Sequence, residues 1–477
     1  MAFLKLLTAK KRKIVLLFGL AFLSACIAPD PEKNLPLNLN NPETWSFVQS
    51  DGYEIDLSSY WKLLNDPLLD DFISRAQENN FDLSQALAQL RLAQASLQEA
   101  RGARLPAVSL SGGVARDFGD FSRDEYQFSV GTDLSWEVDL FGRISGTVNA
   151  SEAELRASQF NFADIKRIIV ATVATQTITA RSLAAQLEIA KASLKNQEDN
   201  LRIAQWRNQA GLASSLDVQQ ARTQRGQTAS VIPALQNDLI STANTISTLI
   251  GEAPGDVYRA LLADPRGVPT PPDSIEIDAP AEILRMRPDI AAAEARFIAD
   301  VERAGVARSR LYPLVSLAGN VGSSSLGINN LFDIITGNVV TNVRQLLFDG
   351  GRTKAQIDAA DAIVDGSLAA WKRSVIQSLE DVETSAVGLR TSNERLIAIS
   401  EASDGAQNAA ILGRSQYESG LIDFQVLLTV EAALLNNRTS KVSAEASRAI
   451  AYVRLARAMG GGWQPQIESN IGSIGVR

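Results

Sequence analysis

Residues 126–138 read Tyr-Gln-Phe-Ser-Val-Gly-Thr-Asp-Leu-Ser-Trp-Glu-Val. Apolar side chains fall at Tyr126, Phe128, Val130, Leu134, Trp136 and Val138. The places between hold Gln127, Ser129, Gly131, Asp133, Ser135 and Glu137, and only Thr132 softens the apolar series. A period of two puts the two sets on opposite faces of a β-strand. A strand tilted across a bilayer needs about 9–11 residues with one oily face, and this stretch is long enough. Val108, Leu110, Gly112 and Val114 repeat the pattern more weakly, and Leu314–Ser325 and Gly337–Phe348 offer two further strands. A half-buried strand of a soluble sandwich shows the same alternation. Four strands do not close a barrel, and open edges are not tolerated in lipid, so the membrane reading requires several chains to share one barrel.

The start of the chain bears on that choice. Lys10-Lys11-Arg12-Lys13 precede an apolar stretch from Ile14 to Leu23. About ten apolar residues are too few to span a bilayer as a helix and suit an export signal. The stretch ends in Leu23-Ser24-Ala25-Cys26, which resembles the bacterial lipobox, and Cys26 is the only cysteine of the chain. That resemblance implies cleavage before Cys26 and a covalent lipid on it. With Ile27 following, rather than Asp, it also implies sorting to the outer membrane. An ordinary signal peptide with a chance cysteine is the alternative. A lipidated terminus anchors a chain beside a membrane without making it span. No later run of 18 apolar residues predicts a transmembrane helix.

Composition narrows the function. The chain of 477 residues is 45% hydrophobic, 21% charged and only 6% aromatic, which suits long helices. It has no histidine, which removes Ser-His-Asp and Cys-His chemistry and histidine metal ligands. The net charge is −8, and the first 25 residues hold five basic and no acidic side chains. The remaining body is acidic, which argues against nucleic-acid binding.

The body is duplicated. Arg104-Leu105-Pro106-Ala107-Val108-Ser109-Leu110 recurs as Arg310-Leu311-Tyr312-Pro313-Leu314-Val315-Ser316-Leu317, with the prolines 207 apart. Asp82 matches Asp289 at the same offset. Gly142-Arg143, Gly211-Leu212 and Gly251 recur as Gly351-Arg352, Gly420-Leu421 and Gly460, all 209 apart. Between the halves, Pro254 to Pro288 holds seven of the sixteen prolines, the mark of a non-helical connector.

Each half predicts a helix (Asp82–Arg104 in the first), two strands, a very long helix (Ser145–Gln209), a glycine turn and a return helix (Ser215–Ile250). Leu368, Val375, Val382, Leu389 and Leu396 fall at strict seven-residue intervals, which is coiled-coil spacing. At the first turn Gly211 supplies a left-handed cap and Ser214-Ser215-Leu216-Asp217 a capping box; Gly420 with Asp423 is expected to do the same. The fold class expected is mainly α with a small transmembrane β part, built from a duplicated strand–strand–long-hairpin unit. The chain divides into a signal peptide (1–25), an extended lipidated leader (26–58), a first repeat (59–252), a Pro-rich connector (253–278), a second repeat (279–462) and a tail (463–477).

Several stretches carry a family resemblance. They are Trp61-Lys62-Leu63-Leu64-Asn65-Asp66-Pro67-Leu68-Leu69, Trp136-Glu137-Val138-Asp139-Leu140-Phe141-Gly142-Arg143 with its partner Leu347-Phe348-Asp349-Gly350-Gly351-Arg352, Arg287-Pro288-Asp289-Ile290 and Gly460-Gly461-Gly462-Trp463. Together they resemble the TolC-type outer-membrane factors, and within these the lipoprotein (NodT- and OprM-like) branch that serves resistance-nodulation-division efflux pumps. The resemblance implies a homotrimer whose chains build a twelve-stranded barrel in the outer membrane and an α-helical barrel across the periplasm. It implies a periplasmic adaptor gripping the hairpin tips at Gly211, Leu212, Gly420 and Leu421, an inner-membrane pump that supplies the energy, and no cofactor beyond the lipid on Cys26. The family's closed aperture is ringed by acids, often with an aspartate nine residues after the second tip glycine. Here that place is Thr429, so Asp217, Asp423 and Glu431 are the candidates for a negative ring. For Asp217 and Asp423, each taken alone, a simple helix cap is the stronger reading. A type I secretion duct would share the fold, and a periplasmic adaptor lipoprotein would carry one hairpin rather than two. No histidine, no reactive cysteine and no phosphate-cradling loop favours an enzyme.

Overall fold

The computed structural model describes Trp45 and residues 56–116, 118–120, 125–272, 283 and 287–463. The export signal, Cys26 and the leader up to residue 55 (Trp45 apart) lie outside the described residues. So do most of the loop 117–125, part of the connector and the tail beyond Trp463.

A 3-10 segment, Leu57–Leu64, and the helix α1 (Pro67–Asn79) lead into a succession that occurs twice. The first pass is α2 (Phe81–Gly102), β1 (Ala107–Arg116), β2 (Tyr126–Val138), α3 (Arg143–Gln209) and α4 (Ser215–Leu249). After the short α5 (Asp256–Ala263) come α6 (Pro288–Ser309), β3 (Leu314–Ser325), β4 (Thr336–Arg344), α7 (Arg352–Glu418) and α8 (Phe424–Ala458). The leading helices have 22 residues each, the long helices 67 and the return helices 35. Sixty-seven residues make a rod of about 100 Å.

Several element bounds differ from expectation. The helix expected at Asp82–Arg104 runs from Phe81 to Gly102, and α3 begins at Arg143. The strand expected to reach Phe348 stops at Arg344, opposite Leu314. Pro313 precedes Leu314 and has no N–H to extend the ladder. Leu347 and Phe348 are therefore left 91% and 88% exposed beyond the last pair.

The chain divides into two compact units. One gathers Gln89–Ser158 and Ala292–Lys372. Its sheet is antiparallel throughout, in the order β1-β2-β3-β4. Beside it, Arg101 pairs with Glu152 (2.6 Å), Arg303 with Glu154 (2.8 Å) and Arg308 with Asp361 (2.6 Å), lacing α2, α3, α6 and α7 side by side. These pairs are half exposed, so each sets register more than stability.

The other unit holds the main core, where Tyr60, Trp61, Leu69, Phe72 and Ile73 pack with Val173 and Ile178 of α3, Leu239 and Ile246 of α4 and Tyr452 and Leu455 of α8. Along α7 the buried positions Val375, Val382, Leu389, Ser403, Ala410 and Tyr417 keep the seven-residue interval, with Leu396 half buried between them. That seam holds the narrow spacing of a coiled coil, and its small residues let neighbouring helices approach closely. Among the described residues, α3 alone is long and apolar enough over 18 residues to cross a membrane, but 56% of that window is buried inside the fold.

Ion pairs replace aromatic bulk in places. Asp66 accepts from Leu68 N to cap α1 and receives both Nε and Nη2 of Arg181, at 2.8 and 2.9 Å, with both side chains buried. Arg181 also bonds the carboxylate and the carbonyl of Asp264, pinning the connector just after α5. At the C-terminal end of α8, Arg167 donates to the Arg457 carbonyl (2.7 Å) and Arg287 to the Ala458 carbonyl (3.1 Å). Two guanidiniums at a helix C-terminus meet its negative dipole end.

Candidate functional site

The sheet and the hairpin tips are the two places where function concentrates, and each belongs to its own unit. On the sheet, register decides which side chains share a face. Val108, Leu110, Gly112 and Val114 stand opposite Leu134, Thr132, Val130 and Phe128. Trp136, Leu134 and Thr132 stand opposite Leu317, Gly319 and Val321, which in turn oppose Thr341, Val339 and Gly337. One face is therefore largely apolar across all four strands, and much of it is open: Leu110 is 78% exposed and Val339 74%. The other face carries serines, asparagines, small residues and a few charges. β1 and β4 are edges without a partner strand among the described residues.

Aromatic rings mark both ends of the oily face. Near the helices, Trp136 Nε1 donates to the Arg104 carbonyl (3.0 Å), and Phe141 stacks on Tyr312 with centroids 5.1 Å apart. At the far end, the Arg116 guanidinium lies 5.0 Å from the Tyr126 ring and 5.2 Å from Phe118. Such girdles are what a bilayer's two interfaces select.

The strand-to-helix bends explain the Asp-Leu-Phe-Gly-Arg and Phe-Asp-Gly-Gly-Arg stretches. Asp139 accepts from Ile144 N (3.1 Å) and Ser145 N (2.7 Å) and so caps α3. Burial opposes its charge, but the bonds from Ser145, Ile144 and Arg143 outweigh that and hold the carboxyl below the usual range. Asp349 caps α7 in the same way, through Thr353 N and Oγ1, and those bonds lower its carboxyl too. Glu137 is neutralised by a two-pronged pair with Arg143.

At the tips, both turns close by one recipe. Leu212 N reaches the Arg207 carbonyl and Gly211 N the Asn208 carbonyl; Leu421 N reaches Gln416 and Gly420 N reaches Tyr417. The glycines sit at φ +73° and +74°, where an L side chain is disfavoured. Leu212 and Leu421 are 72% and 75% exposed. Behind them, Ala204, Ala221, Tyr417, Phe424, Leu427 and Leu428 form a small core joining both hairpins. The Arg207 guanidinium rests 4.7 Å from the Tyr417 ring centre and donates to its carbonyl.

The acidic candidates differ in what they already hold. Asp217 is locked in a capping box with Ser214, its carboxylate receiving Ser214 N and its own N–H bonding Ser214 Oγ. Asp423 is the N-cap of α8, the place that Ser214 holds before α4, and its side chain makes no cap bond, contrary to the expectation that the two turns restart alike. Its backbone carbonyl alone accepts from Val426 and Leu427. Glu431 is buried, bonded by Arg414 Nε at 2.9 Å and by Asn200 Nδ2. Phe424, Leu427, Leu428 and Glu431 share one helical face, and that spacing was the available signal that Glu431 points inward. Thr429 is exposed and bonds back to the Gln425 carbonyl. No cluster of metal-binding side chains is present among the described residues.

Comparison with known proteins agrees with this geometry. A sequence profile described as outer membrane efflux protein matches residues 72–252 and 279–461. The pyoverdine export outer membrane protein OpmQ of Pseudomonas aeruginosa is 28% identical over 468 residues, covering 94% of this chain and 97% of its own. Nodulation protein T of Rhizobium leguminosarum bv. trifolii is 27% identical, covering 94% and 97%. The solved outer-membrane channel OprN superposes with a TM-score of 0.80 at 28% identity, covering 88% of this chain and 95% of its own. By the profile match along both repeats, the chain belongs to the outer membrane efflux protein family.

Proposed function

We propose that copies of this chain, three to a ring, form the exit duct of a tripartite efflux pump, conducting small solutes passively out of the cell. The observation that carries this reading is the sheet: an oily face continuous over four strands, and two bare edges. Unpaired backbone groups are costly in lipid, so β1 and β4 need neighbours, and further copies of the same sheet supply them. Family membership supports the outer-membrane setting and the efflux role.

Finer assignments belong to the same reading: the Leu-Ser-Ala-Cys stretch supports the lipid on Cys26, and the exposure and bonding of the tip residues support the rest. Lipid on Cys26 tethers the N-terminus to the membrane. The exposed Leu212 and Leu421, held out by Gly211 and Gly420, are the contact points for a periplasmic adaptor, which couples the duct to a resistance-nodulation-division transporter in the inner membrane. Among the tip acids, Asp423 is the aperture residue, because Asp217 is committed to its cap and Glu431 to Arg414.

Light scattering on detergent-extracted protein, corrected for bound detergent, tests the assembly. A mass three times that of the chain is expected, with ion conductance in planar bilayers. A monomer without conductance defeats the proposal. Replacing Asp423 by Ala should change conductance or cation preference, while Asp217→Ala should cost about 1 kcal/mol of stability and leave conduction alone.

A further inference from the structure

We propose that Asp133 creates a cation-preferring band partway along the strand section of the duct. This rests on the duct reading above and adds to it which solutes that section favours. The register places Ser109 opposite Asp133, Asp133 opposite Asn320, and Asn320 opposite Asn338. One row thus crosses all four strands at a single depth, on the face opposite the oily one, and every member carries a side-chain oxygen.

The charge of Asp133 is uncompensated. Its carboxylate is exposed and, among the described residues, accepts only a long bond from Ser111 Oγ (3.4 Å). No basic side chain lies within ion-pair distance of it among the described residues. The flanking rows, Ser111–Gly131–Gly322–Thr336 and Ala107–Ser135–Ala318–Val340, hold no charge. Two other paired positions on this face are ionised. Glu137 is cancelled by Arg143. Arg344 lies six residues along β4 from Asn338, or about 20 Å away along the strand. That exceeds the Debye length of about 8–10 Å at ordinary salt, so Arg344 does not offset Asp133.

In a ring of three copies, three carboxylates stand at one level among asparagine and serine oxygens. The wall behind them is low-dielectric protein and lipid, which focuses their field into the passage. A wide passage makes this a bias rather than a filter. Cations are concentrated at the band and anions are thinned, and the effect strengthens as salt is lowered and screening recedes.

Single-channel recording in planar bilayers under a KCl gradient tests this directly. Asp133→Asn, which keeps the shape and removes the charge, should lower the cation-over-anion permeability ratio by about twofold. Asp133→Lys should lower it further, and Asn338→Asp, which adds a carboxylate to the same row, should raise it. All three shifts should shrink as KCl is raised. Open channels whose ratios are unchanged in all three variants overturn the role of Asp133 and leave the duct standing. No conductance from the unmodified protein removes the duct reading and this inference with it.

Discussion

Arg181 is the largest of the fully buried side chains, and its charge is matched by Asp66 and Asp264. Replacing it by Ala would strand the buried Asp66 carboxylate, at a cost of about 3–5 kcal/mol. Thermal unfolding checks this: a loss below 1 kcal/mol would place the pair in the weak class of surface bridges. Gly251 is a second sensitive residue. It sits at φ +73°, and an added Cβ would lie 2.5 Å from the Asn79 carbonyl oxygen. Gly211 shares the backbone angle but faces open space. Gly251→Ala should therefore destabilise by about 2–4 kcal/mol and Gly211→Ala by about 1 kcal/mol, so equal melting temperatures for the two variants would contradict the packing argument. Asp289 brings a pH dependence. Burial disfavours its charge, yet the bonded Arg287, with Arg167 and the Ile290 N–H, holds its carboxyl below the usual range. Such a group contributes stability that is complete above its unfolded pKa of about 3.9 and is lost as pH falls through the lower folded value. The melting temperature should stay level down to about pH 5 and fall below about pH 4; Asp289→Asn should flatten that fall.

At the level of elements, the two faces of β2 make opposite demands. Leu134→Arg puts a charge on the oily face and should cost about 2–4 kcal/mol and impair membrane assembly, while Ser135→Arg on the other face should be tolerated. Comparable yields of heat-resistant oligomer from both variants would count against the assignment of faces. The alternation Tyr126–Val138 was legible in the sequence because a strand's period needs no distant information. So were the long helices, from missing prolines and from Val375, Val382 and Leu389 at sevens, and the glycine turns, from their common offset. The Asp66–Arg181–Asp264 cluster was not legible: the three positions are far apart and no periodicity links them. Asp217 and Asp423 differ in place already in the sequence, six residues after one tip glycine and three after the other, but that Ser214 and Asp217 close a box while the Asp423 side chain makes no cap bond was not legible. The strand β4 was read too long because Leu346, Leu347 and Phe348 prolong the apolar pattern, whereas pairing is limited by where the partner strand begins.

For the assembled molecule, the duplication makes the missing edge contact predictable. β2 and β3 join the two repeats in antiparallel register, with Leu134 opposite Gly319. Carrying that register through the repeat offset pairs β4 of one copy with β1 of the next, with Val343 opposite Gly112. Both residues belong to the oily face, so the derived register keeps the faces aligned. A chain carrying Val343→Cys and Gly112→Cys should form oxidant-dependent links between copies, visible as higher bands on non-reducing gels. Asn338→Cys with Gly112→Cys should not, and the reverse outcome would overturn the register.

The near-identical lengths of the two halves have an evolutionary meaning. Each half holds one strand pair whose outer borders fit its sibling's, so in the proposed ring the same seam is used once inside the polypeptide and once between polypeptides. A half-length ancestor would already own every join needed to close a hoop of six. Fusion into one gene would free the sister hairpins to specialise, and their restarts already differ, one closed by a side-chain box and the other not.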